Sequence, residues 1–166
     1  MKNWLTVSLL LFLWLFSSLS LADPPKEEVT IADDQWVEVP LDFTFPFYGN
    51  SYVTSFMFSN GVIGFMDPTE IPGSGLVYDG LCCNSFDFTA TNNNYGNYDG
   101  VRFDYVIMPW HTDLIDIGTG KFYIQGDATF QSYFWENISE YYDQTNLNTF
   151  DTTIYPTGNI RFGYQA

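Results

Sequence analysis

From Trp36 onward the chain alternates hydrophobic and polar positions with a period of two, and no window of a dozen residues after Ala22 carries a helical period. Trp36–Leu41 begins this alternation, and Phe43–Phe47 continues it as a short edge segment, because Pro46 removes a ladder hydrogen bond. Tyr48-Gly49-Asn50 predicts a turn. Tyr52–Phe58 is then a strand with Tyr52, Thr54, Phe56 and Phe58 on one face and Val53, Ser55 and Met57 on the other. Ser59-Asn60-Gly61 predicts a tight hairpin, since Asn-Gly accepts the positive φ angles of a type I′ turn, and Gly61–Met66 is the returning strand.

Beyond Met66 the pattern breaks. Asp67–Gly100 holds Pro68, Pro72, several glycines and the polar run Thr91-Asn-Asn-Asn-Tyr-Gly-Asn, so it reads as one long irregular loop. Alternation returns in Val101–Met108, which Pro109 ends, then in Lys121–Gln125 and Ala128–Ile138, joined by Gly126-Asp127. Asn148–Tyr155 and Asn159–Tyr164 form a hairpin about Pro156-Thr157-Gly158, and Ser139–Asn146 has room for one short helical turn. Many short strands with turn signals between them predict an all-β fold, an antiparallel β-sandwich or open barrel.

The N-terminus has a different pattern. Lys2 is followed by an apolar run, Leu5–Phe16, and Ser20-Leu21-Ala22 places small residues where a signal peptidase cuts. Residues 1–22 therefore predict a signal peptide and a secreted or cell-surface protein. Residues 23–35, rich in acids and prolines, read as a linker, and 36–166 as one β domain. The chain stops two residues after Tyr164, in mid-strand. That leads us to expect a fragment of a longer reading frame, with any membrane anchor lying beyond it.

Charge narrows the partners. Twenty acidic side chains face five Lys and Arg, a formal net charge of −15. Such a surface repels phosphate backbones, which argues against nucleic acid, and it disfavours anionic lipid, leaving the signal segment or an anchor as the only membrane contact. It suits solubility outside the cell, with an extracellular protein or a glycan as partner. A 20% aromatic content supplies the strands and also offers flat faces for stacking on sugars.

Candidate chemistry is sparse. Cys82 and Cys83 are adjacent, so each needs a disulfide partner outside this sequence unless they close a strained ring on each other. With one histidine, His111, the chain offers too few zinc ligands. Calcium needs hard oxygen ligands, and Asp99, Asp113 and Asp116 are the candidates; no other cofactor is expected. His111 beside Asp113 or Asp116 could do acid–base work, which makes a small secreted hydrolase the weakest functional alternative. Asn137-Ile-Ser139 is a glycosylation sequon.

Three blocks carry a family resemblance. The first holds Phe45-Pro46-Phe47 and Gly49, followed by Asn60-Gly61; the second is Pro109-Trp110-His111-Thr112-Asp113-Leu114; the third closes on Tyr155–Tyr164 with Gly158. Together they resemble the nidogen-like (NIDO) extracellular domains, with His111 and Thr112 departing from an aromatic and an acid of the family pattern. The resemblance implies an extracellular architectural module without enzymatic activity. The expected function is thus a non-enzymatic surface or matrix module for adhesion or protein–protein association, with a lectin-like carbohydrate-binding domain as the alternative.

Overall fold

The computed structural model describes residues 22–68, 106–110 and 112–165. Within them the fold is an all-β sandwich of two antiparallel sheets, with no helix and no closed barrel. The smaller sheet is β2 (Trp36–Phe47), β3 (Asn50–Phe58), β4 (Val62–Gly64) and β5 (Val106–Ile107), in that order. The larger runs β1 (Glu27–Val29), β7 (Lys121–Asp127), β8 (Phe130–Glu140), β9 (Asp143–Ile154) and β10 (Ile160–Gln165), with β6 (Leu114–Ile115) also pairing β8.

The core lies between the sheets, because alternate residues of each strand point inward. Val39, Leu41, Phe45, Met57, Ile63 and Phe65 from one side meet Phe122, Tyr133, Trp135, Phe150 and Ile154 from the other. Two polar groups cross this layer. Ser55 Oγ lies 2.6 Å from Tyr133 Oη and donates to the Val39 carbonyl, while Trp135 Nε1 donates to the Phe58 carbonyl at 3.0 Å. A buried hydroxyl or indole N–H must find such a partner, so these bonds fix how one sheet sits on the other. Burial raises the Tyr133 phenol far above its ordinary value, with the Ser55 hydrogen bond opposing the shift. Ser55 and Met57 enter this core and Phe56 and Phe58 join Val62 in a second cluster with Trp36, Val106 and Met108, as the alternation requires. Val53, however, is exposed and Tyr52 packs on the first core, so the expected faces hold only from Ser55 onward.

Several turns differ from expectation. The type I′ geometry sits at Tyr48-Gly49, where φ is +45° and +79° between the paired Phe47 and Asn50. At Ser59–Gly61 only Gly61 is left-handed, at +73°, giving a three-residue loop between Phe58 and Val62. Asn60 keeps a negative φ because a three-residue loop needs left-handed backbone only at its last residue. Phe43–Phe47 is no separate segment but the end of β2, offset by an irregularity between Pro40 and Phe45.

Further along, β7 extends through Asp127 and turns at Ala128-Thr129, whose amide and hydroxyl bond the Asp127 carboxylate. Ser139–Asn146 forms no helical turn. β8 and β9 run through it with a tip at Tyr141-Tyr142, since pairing with β9 outweighs weak local propensity. Residues 27–29, in the stretch read as a linker, form β1 on the edge of β7, with Lys26 ion-paired to Glu136 and 3.8 Å over the Phe134 ring. Residues 1–21, most of the long loop and residues 101–105 of the expected 101–108 strand lie outside the described residues.

Candidate functional site

One end of the sandwich gathers three segments far apart in sequence. Asp33-Asp34 makes a tight turn before β2, closed by a Gln35 N–H bond to the Ala32 carbonyl at 3.1 Å, with Asp34 left-handed at φ +56°. Aspartate tolerates that region better than most residues. The Ser59–Gly61 loop docks on this turn through Ser59 N–H to the Gln35 carbonyl, 3.0 Å. Asn60, 2% exposed, then works in two directions: its Nδ2 donates to Asp34 Oδ1 at 2.9 Å and its Oδ1 accepts the Leu114 N–H at 3.0 Å. Gly61 lies so close to the Pro109–Leu114 segment that a Cβ there would sit 2.0 Å from the Trp110 carbonyl oxygen. Only glycine fits.

This junction brings three carboxylates together. Single oxygens of Asp33, Asp34 and Asp113 all lie within 4.8 Å of one another, with Asp113 buried and Asp33 exposed. Burial, then the charges of Asp34 and Asp33, hold the Asp113 carboxyl above its ordinary value. Asp33 is raised as well, by burial and by Asp34, while a backbone bond from Asp34 pulls the other way. A set of mutually repelling hard oxygens is chemically suited to a divalent cation, although calcium takes six to eight ligands and three carboxylates supply only part of that shell.

Of the calcium candidates expected from the sequence, the fold therefore assembles Asp113 but not Asp116. The Asp116 Oδ1 accepts the Gly118 and Gly120 amides at 2.7 and 2.8 Å, closing its own loop. Asp99 falls outside the described residues, as do His111, Cys82 and Cys83. Sequence reasoning missed Asp33 and Asp34; their signal was an acidic doublet just before β2. Asn137 is exposed at a bulge of β8, at φ +56°, with its N–H bonded to Thr149 Oγ1.

The remaining motif residues serve as architecture. Phe45 is fully buried, Phe47 packs beside it at 5.7 Å between ring centroids, and Gly49 turns the chain. Gly158, at φ +84°, abuts Pro46, whose carbonyl oxygen would lie 3.2 Å from an added Cβ. Trp110 stacks on Phe150 at 5.9 Å, Phe150 stacks on Trp135 at 4.9 Å, and the Tyr164 hydroxyl donates to the Pro109 carbonyl at 2.8 Å. Trp110, Phe162 and Tyr164 remain 36%, 46% and 55% exposed, which leaves aromatic surface along β10. Tyr141 and Tyr142 form a second exposed pair, edge to face at the β8–β9 tip.

No family model matches the chain, and neither a curated protein nor a solved structure matches it, so the nidogen-like resemblance gains no support from these comparisons.

Proposed function

We propose that this chain is a secreted, non-enzymatic surface or matrix module that associates with other proteins by strand addition at the β10 edge. The observation that carries this is how differently the sheet edges are protected. Exposed ladders pair with foreign strands unless shortness, charge, proline or a bulge prevents it. β1 has three residues, two of them glutamates. β2 carries Glu38, Pro40, Asp42 and Pro46 and an irregular register. β5 has two described residues.

β10 has the fewest of these devices among the described strands: it is six residues in unbroken register with β9, without proline or lysine. Its single charge, Arg161, is engaged by Asp151 and Thr153 at 3.1 Å each. A carbohydrate-binding reading draws on the Tyr141-Tyr142 pair, where Tyr142 is 79% exposed.

The test uses beads coated with the chain, scored for clumping and for attachment to immobilised matrix proteins, beside a glycan array and a panel of ester and glycoside substrates. Clumping or attachment abolished by Phe162→Pro supports the reading. Absence of both, glycan binding lost on Tyr142→Ala, or substrate turnover overturns it.

A further inference from the structure

We propose that the partner at this edge is a second copy of the chain, joined by antiparallel β10–β10 pairing about a two-fold axis through Phe162. This rests on the strand-addition reading and specifies its occupant.

The first support is hydrogen-bond parity. Tyr155 N–H donates to the Asn159 carbonyl at 3.1 Å, which sets 155 and 159 as a bonded pair of the β9–β10 hairpin. Antiparallel ladders alternate bonded and non-bonded pairs. Arg161, Gly163 and Gln165, opposite Thr153, Asp151 and Thr149, therefore spend their backbone groups on β9. The N–H and C=O groups of Ile160, Phe162 and Tyr164 point away from it, toward open space among the described residues.

The same three residues carry the apolar side chains. Ile160 packs on the core, Tyr164 reaches Pro109, and Phe162 stays half exposed opposite buried Thr152. A two-fold through Phe162 sets Phe162 against its own copy and Ile160 against Tyr164 of the partner, twice. Three pairs exchanging two bonds each give about six new hydrogen bonds. Every apolar side chain then meets another on the same face, which is the condition for a stable cross-strand pair.

Neighbouring registers do worse. A centre on Arg161 would oppose two like charges. A centre on Gly163 would set Ile160 opposite no described residue and leave Phe162 facing Tyr164 of the partner, twice, as the outward-facing pairs among the described residues. With the axis on Phe162, Arg161 faces Gly163 of the partner.

Net charge supplies a distinguishing signature. Two chains of −15 each repel over long range, so salt strengthens this dimer. A basic partner docking on the same surface would be weakened by salt.

Sedimentation equilibrium of the exported chain should show a monomer–dimer equilibrium that tightens between about 0.05 and 0.5 M NaCl, weakened about tenfold or more by Phe162→Pro. That variant removes an outward N–H and leaves the β9 bonds intact. In a Cys82→Ser/Cys83→Ser background, Phe162→Cys should cross-link to itself on mild oxidation. The bonded-pair Cα spacing of about 5.5 Å is within disulfide reach. Gln165→Cys, far from its own copy in this register, should not.

A chain that remains monomeric at high salt, or a Phe162→Cys variant no more cross-linked than Gln165→Cys, overturns the proposal. If such a monomer still attaches to matrix proteins through β10, strand addition stands and only the second copy falls.

Discussion

Removing the Asn60 side chain disconnects the junction that joins the two sheets at one end. In Asn60→Ala the Leu114 N–H, buried beneath a fully buried side chain, loses its acceptor, and Asp34 loses a donor. An orphaned buried N–H costs about 1–3 kcal/mol. A hydrogen bond to a carboxylate contributes about 1.5–3 kcal/mol, but Asp34 is half-buried, so solvent screening reduces that to about 1 kcal/mol. The sum is about 3 kcal/mol, or a melting temperature lowered by about 10 °C for a domain of this size.

Asn60→Asp separates the two halves of the effect. It keeps the acceptor for Leu114 but sets a fourth carboxylate against Asp33, Asp34 and Asp113. Crowded carboxylates have raised pKa values, so the folded state binds more protons than the unfolded chain between the ordinary and the raised value. The stability deficit of Asn60→Asp is therefore largest at neutral pH and shrinks as pH falls through the raised value. Urea denaturation followed by tryptophan fluorescence, at a series of pH values, measures both variants. An Asn60→Ala loss under about 1 kcal/mol, or an Asn60→Asp deficit independent of pH, would refute this account of the junction.

Two further outcomes are open to direct measurement. If Asp33, Asp34 and Asp113 hold calcium, millimolar Ca²⁺ raises the melting temperature and Asp113→Asn removes the rise; a midpoint unchanged between calcium and chelator refutes that use of the cluster. Asp127 and Asp143 lie below their ordinary value of 3.8, chiefly because the hydroxyls and amides of Thr129 and Thr145 bond their charged forms. Their contribution is complete above that value and disappears as pH falls through the lower folded value, so wild type and Asp143→Ala should converge in thermal stability in acid, and a gap that widens there contradicts the assignment.

Local pattern was legible wherever it had only local consequences. The alternation of Tyr52–Phe58 set Ser55 and Met57 on the face opposite Phe56 and Phe58, as observed, but not which face met the core. Pro156-Thr157-Gly158 gave the final hairpin at nearly its observed position. Asn-Gly marked a turn but misled about its type, because the register of β3 on β4, which makes the loop three residues long, cannot be read from the dipeptide. The helical turn expected near Ser139–Asn146 failed for a similar reason: its weak propensity gave way to pairing along two long strands.

By itself, then, the sequence determined an acidic, aromatic-rich, all-β chain, because period-two alternation and turn residues act over a few positions and charge is a plain sum. Tertiary structure decided the rest. It set Asp33 and Asp34 beside Asp113, placed Gly61 against Trp110, and put β10 at the end of the larger sheet among the described residues. Each of these depends on segments tens of residues apart meeting in space, and only the closing of one sheet over the other brings them there.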